Sequence, residues 1–169
     1  SDDTNDAPDI FLHDRQTGST SRVSVSSKGE QPNGSSTLAS ISSNGQRIAF
    51  ASFASNLVSN DTNTTADIFL RDLAAGQTKR VSIANGGSEA HGHSLDPVIS
   101  SNGKIIAFTS LAPDLVLNDT NGTWDIFVHD LQSGQTGRVS IADNGTQSNG
   151  SSAWRPAISS DGRLAAFWS

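Results

Sequence analysis

The sequence predicts an all-β fold of four-stranded antiparallel units, and three observations predict it. The chain repeats itself: Asp9, Asp67 and Asp125 stand 58 residues apart, as do Arg22, Arg80 and Arg138, and Gly29, Gly87 and Gly145. Each period holds four short apolar segments separated by turn signals, the pattern of an antiparallel meander. The composition, 34% hydrophobic with abundant Gly, Ser, Asn and Thr, suits many short strands and tight turns. Four antiparallel strands in one period, repeated, are the blades of a β-propeller.

Lettering the strands of a blade A to D from the channel outward, the chain reads in order. Residues 1–35 supply strands C and D, 36–93 supply A to D, 94–151 supply A to D again, and 152–169 supply A and B. Three four-stranded repeats make half of a six-bladed ring. Strands A and B are the runs around "LASISSNGQRIAFAS" and "DPVISSNGKIIAFTS", each folded at an Asn-Gly that predicts a two-residue hairpin with both central residues at positive φ. A longer loop leads to strand C, "DIFLRD" in the second copy. A Gly-centred turn then leads to strand D, "KRVSIA". Asp72 and Arg80 lie symmetrically about Gly76, as Asp14 and Arg22 do about Gly18 and Asp130 and Arg138 about Gly134. The symmetry predicts a structural cross-strand ion pair in each hairpin, contributing roughly 0.2–1 kcal/mol.

The segments "SSNGQRIAFAS" and "DIFLRDLAAGQTKRVSIA" resemble the TolB-type β-propeller repeat: a Ser-Pro-Asp-Gly turn, an apolar strand ending in Phe, an Asp-Ile-Tyr/Phe strand and a basic strand. The resemblance runs over essentially the whole chain. It departs in having Ser where the family has Pro before Asn44, Asn102 and Asp161, and in a longer loop before each Asp-Ile-Phe. It implies a propeller fold. The family includes hydrolase-associated, translocation-associated and purely binding propellers, so the fold alone does not fix an activity.

Composition narrows the chemistry. There is no cysteine, hence no disulfide framework and no thiolate chemistry, and no apolar run long enough to cross a bilayer, so membrane insertion is not expected. The absence of methionine suggests a processed or excised piece of a longer product. A net charge of −6 without a Lys/Arg cluster disfavours nucleic acid as a partner. Serine is plentiful, but no Gly-x-Ser-x-Gly elbow occurs, and "GHSLD" only approximates one. The two glutamates, Glu30 and Glu89, leave a glycosidase to draw its carboxylates from different blades. Sequons stand at Asn33, Asn60, Asn63, Asn118, Asn121, Asn144 and Asn149.

Two sets of loops carry the candidate functional residues. The B–C loops repeat an Asp-x-Asn-x-x-x-Asp frame: Asp3, Asn5 and Asp9; Asp61, Asn63 and Asp67; Asp119, Asn121 and Asp125. Carboxylate and amide oxygens at alternating positions suit a hard cation, so calcium is the expected cofactor. The frame lacks the glycine and terminal glutamate of an EF-hand. The same residues equally suit Asx-turn bonds to the backbone, with the last Asp capping the entry to strand C. The D–A loops, on the same face, bring Asn33, His91 and Asn149 into register, with His93 beside His91. A ligand is expected there, and a metal or acid–base role follows if Asp96 or Glu89 approaches the histidines.

The expected function is a non-catalytic, extracytoplasmic scaffold or binding module for a protein or glycan, stabilised by calcium. The alternative is an enzyme or enzyme-associated propeller with a site at the channel mouth. Open blade edges imply either a homodimer that closes a six-bladed ring or the remainder of a longer chain.

Overall fold

The computed structural model describes residues 3–152 and 154–169. They form twelve strands in four antiparallel sheets. Strands β1 (Phe11–His13) and β2 (Thr20–Arg22) pair with each other. A four-stranded sheet follows in the order β3 (Ser36–Ile41), β4 (Arg47–Ser52), β5 (Asp67–Asp72) and β6 (Gln77–Arg80). The next repeats it with β7 (Ser94–Ile99), β8 (Ile105–Ser110), β9 (Asp125–Asp130) and β10 (Gln135–Arg138). Strands β11 (Ala157–Ile158) and β12 (Ala165–Ala166) form the last pair. Every sheet runs in chain order, as a blade requires.

The hydrophobic core lies between blades. Ile68, Leu70 and Val81 on one face of the first complete blade pack with Ile106, Phe108 and Phe127 on the facing side of the next. Val23, with Leu12 of β1 and the flanking Ile10, meets Ile48, Phe50 and Phe69 in the same way. Within a blade the two phenylalanines of adjacent strands stack, Phe50 on Phe69 and Phe108 on Phe127, each at 5.9 Å between centroids. Such a contact adds about 0.5–1.5 kcal/mol beyond area burial.

Hydrogen bonds staple neighbouring blades along their outer strands. The Thr78 N–H donates to Ser27 Oγ (2.9 Å) and its hydroxyl to the Val25 carbonyl (2.5 Å). One repeat later, Thr136 N–H donates to Asn85 Oδ1 (2.6 Å) and its hydroxyl to the Ile83 carbonyl (2.6 Å).

Two local expectations are corrected. In the A–B hairpins only the glycine, Gly45, Gly103 or Gly162, has positive φ. The loops are four residues long, closed by Ser42 N–H to the Arg47 carbonyl and by its counterparts at Ser100 and Ser159. The preceding Asn or Asp keeps an ordinary φ because its side chain makes an Asx turn: Asn44 Oδ1 accepts from Ser42 Oγ (2.8 Å) and from Gln46 N–H (3.1 Å). In the C–D hairpins Asp72 sits opposite Gln77, and Arg80 opposite Phe69. The glycine ends the turn and does not centre it, so Asp72 does not face Arg80. Asp72 instead pairs with Arg47 across the β4–β5 ladder (3.1 Å). The same register sets Asp130 against Gln135 and Phe11 against Arg22.

Candidate functional site: three arginine-centred carboxylate clusters

An aspartate at the entry to each strand C is buried completely by the fold: Asp67 and Asp125, the first residues of β5 and β9, and the side chain of Asp9, two residues before β1. A fully buried carboxylate needs several hydrogen bonds and a countercharge. In the first complete blade the Ser82 hydroxyl donates to Asp67 Oδ1 (2.5 Å), and Asn63 Nδ2 donates to Asp67 Oδ2 (2.9 Å) and to the Ala90 carbonyl (2.7 Å). Asn63 Oδ1 accepts the Thr65 N–H (2.9 Å), which is the Asx turn, and Ser82 Oγ accepts the Ile68 N–H (3.0 Å). The next repeat copies this set through Asn121, Asp125 and Ser140. The first repeat copies it through Asn5, Asp9 and Ser24.

The countercharge is an arginine of strand D. Arg80 Nη1 lies 3.3 Å from Asp61, 3.3 Å from Asp67 and 2.8 Å from Glu89, and the Arg80 side chain is only 9% exposed. Arg138 Nη1 lies 3.0 Å from Asp119 and 3.6 Å from Asp125 and donates to Gln147 Oε1 (2.9 Å). Arg22 approaches Asp9 (3.2 Å) and Asp3 (3.7 Å). The nine residues of the Asp-x-Asn-x-x-x-Asp frames are thus brought together in threes, each around a guanidinium. Among the described residues no group of three or more His, Asp or Glu is disposed to hold a metal ion. The carboxylate oxygens that a calcium ion would need are those that face the arginine.

The second cluster differs in carrying Glu89 where its neighbours have Gln31 and Gln147. Burial, reinforced by Asp67, pushes the Asp61 carboxyl up to about 6 against the opposing pull of Arg80. Burial also raises Asp67. Glu89 is held at about 2, first by the Thr62 hydroxyl and N–H that donate to it, then by Arg80. In the third cluster burial and Asp125 raise Asp119.

The D–A loop residues do not converge. Asn33 bonds to the B–C loop that follows it in the chain, giving Nδ2 to Ser55 Oγ and accepting Ser55 N–H, both at 2.9 Å. His91 makes the equivalent latch to Asp114, through its N–H (3.0 Å) and through Nδ1. That contact raises the His91 pKa. His93 Nδ1 accepts the Ala66 N–H (3.1 Å), and its ring meets Phe53 edge-on at 5.7 Å. The two histidines therefore serve different neighbours, and neither is paired with Asp96 or Glu89. Asn149 is exposed. Sequence reasoning missed the arginines as the partners of the Asp loops, although their identical 58-residue spacing was the signal. It also missed the positive φ shared by Leu38, Asp96 and Trp154, which in β3 and β7 coincides with a register shift.

The chain matches no family model and no curated protein sequence. Its fold is similar to solved propellers. TolB from Acinetobacter baumannii superposes with a TM-score of 0.53 at 24% identity, over 94% of this chain and 31% of that one. A putative TolB from Agrobacterium tumefaciens gives 0.53 at 16% identity, over 95% of this chain and 50% of that one. The tricorn protease gives 0.55 at 19% identity, over 97% and 13%. The fold is a TolB-like β-propeller, and the chain spans about a third of the length of the Acinetobacter protein.

Proposed function

We propose that this chain is a non-catalytic propeller scaffold that presents its D–A loops to a protein or glycan ligand outside the cytoplasm. One observation carries the reading: in the complete repeats, the carboxylates of the Asp-x-Asn-x-x-x-Asp frames and Glu89, which could ligate or catalyse, are bound to an arginine and to side chains or backbone of the same chain. The B–C clusters hold the loops in place, and the arginine does there what a bound cation would do. A second reading, a propeller attached to a hydrolase, draws support from the likeness to the tricorn protease. Incubating the purified chain with glycans, peptides and hydrolase substrates separates the two. Saturable binding without turnover is the expected result, and turnover by the chain alone would overturn the first reading. Cell fractionation checks the location.

The arginine reading also predicts that melting curves in excess calcium and in excess chelator coincide. One calcium site at a hundredfold excess over its dissociation constant would add about 2.7 kcal/mol by linkage. A calcium-dependent rise in melting temperature would mean that the ion displaces the guanidinium.

A further inference from the structure

On the face of the A–B and C–D turns, opposite the B–C and D–A loops, a groove crosses the seam between the two complete blades. Two adjoining cavities of about 140 and 360 Å³ form it, and they share Arg47 and Leu131. Every wall belongs to one of these two blades. The floor is aliphatic: Leu70 lies in the interblade core and Leu131 packs against that core. The rim is cationic, with Arg47, Lys79 and Lys104 set against one carboxylate, Asp72. Arg47 is already committed, since its Nε pairs with Asp72 (3.1 Å) and its Nη1 donates to the Gly103 carbonyl across the seam (2.8 Å). Among the described residues the exposed ammonium groups of Lys79 and Lys104 have neither a hydrogen bond nor an ion pair. The repeat does not impose them. One repeat earlier Ser21 and Gln46 hold the two positions, and one repeat later Gly137 and Arg163 do.

We propose that this groove docks an acidic peptide segment of a partner protein, with carboxylates at Lys79 and Lys104 and an aliphatic side chain on Leu70 and Leu131. Charge complementarity selects the sign of the ligand. The chain carries −6 overall, but at about 0.1 M salt charges more than roughly 10 Å apart are largely screened, so the local excess of cations decides. The lining selects a peptide. Sugar rings and bases are gripped by stacking on aromatic side chains, and the described residues that line the groove include none. Arg47, whose planar fork would suit a phosphate, is held by Asp72 and Gly103. What is left is two point charges and an apolar floor. Lys79 lies opposite Leu70 in the β5–β6 ladder, and the Leu131 N–H donates to the Lys104 carbonyl (2.9 Å), so each lysine stands beside one of the leucines. An extended segment that alternates acidic and aliphatic residues meets both features at once.

Amide NMR on the isotope-labelled chain tests this with acetyl-Glu-Leu-Glu-Leu-Glu-amide as the probe. The signals of Gln77, Lys79, Lys104, Leu131 and Gln132 should move saturably, and those of Asn33 and His91 should stay in place. Lys79→Ser and Lys104→Gln install the residues that stand at these positions one repeat earlier, on exposed sites, so the melting temperature should not change. Each should weaken binding roughly two- to fivefold, and the two together roughly tenfold. Raising the salt to about 1 M should remove most of the affinity. Equal affinity for acetyl-Gln-Leu-Gln-Leu-Gln-amide overturns the proposal, as does an affinity that neither lysine variant alters. So does the absence of saturable shifts at millimolar peptide. A polyuronate oligosaccharide or a single-stranded oligonucleotide that binds at the same signals more tightly than the peptide would show a site that reads charge alone, and would overturn the peptide assignment. Saturable shifts confined to Asn33 and His91 would overturn the groove and support the scaffold reading, whereas shifts confined to the groove leave that reading to its own test.

Discussion

At the residue scale the B–C loops are explained by one arginine each. Arg80→Met keeps most of the side-chain volume but leaves Asp61, Asp67 and Glu89 without their shared cation. Removing one partner of a buried ion pair typically costs about 3–5 kcal/mol, because the remaining charge stays desolvated. Chemical denaturation of Arg80→Met should show a loss in that range. The neighbouring clusters provide the control for charge number, since they carry Gln31 and Gln147 where this one has Glu89. Asp61, raised from 3.8 to about 6, binds its proton more tightly in the folded state. Its contribution to stability is therefore complete below the unfolded pKa and is lost as the pH rises through about 6. Glu89, lowered from 4.5 to about 2, works the other way, stabilising above its unfolded pKa and failing as the pH falls towards about 2. The difference in melting temperature between Asp61→Asn and the unmodified chain should accordingly shift in favour of the variant between about pH 4 and pH 7. A difference that is flat across that interval would contradict the burial of Asp61.

At the element scale the strands and their order were legible in the sequence because the alternation and the period of 58 are both local signals. The registers were less so. Gly76 invites a hairpin centred on itself, yet its φ of 65° places it at the end of the turn, and the Asp72–Arg80 pairing that follows from symmetry does not form. What the Asp-x-Asn loops bind was also hidden, because the guanidinium arrives from another strand and spacing gives no direction to a side chain. Two glycines at the same repeat position show what neighbouring elements impose. A Cβ on Gly34 would lie 2.9 Å from the Phe53 carbonyl oxygen, and one on Gly92 2.8 Å from the Ala112 backbone. Gly34→Ala and Gly92→Ala should each destabilise by about 1–3 kcal/mol through overpacking against backbone, as chemical denaturation would show. Neutral effects at both positions would mean that the D–A loops do not press on the strand B exits as described.

At the scale of the whole molecule, stability resides between blades, so each sheet depends on its neighbour. Ile68 and Phe108 lie in one interblade cluster that also holds Ile106 and Phe127, and all four are fully buried. The β1–β2 and β11–β12 pairs have a blade on one side only and carry the exposed Phe11, Leu164, Phe167 and Trp168. Local opening follows the number of buried contacts an element would lose. In dilute solution amide hydrogens of β5 and β8 should therefore exchange last and those of β1 and β12 first. Equal exchange at β1, β5, β8 and β12 would mean that burial between blades does not set the stability of the strands.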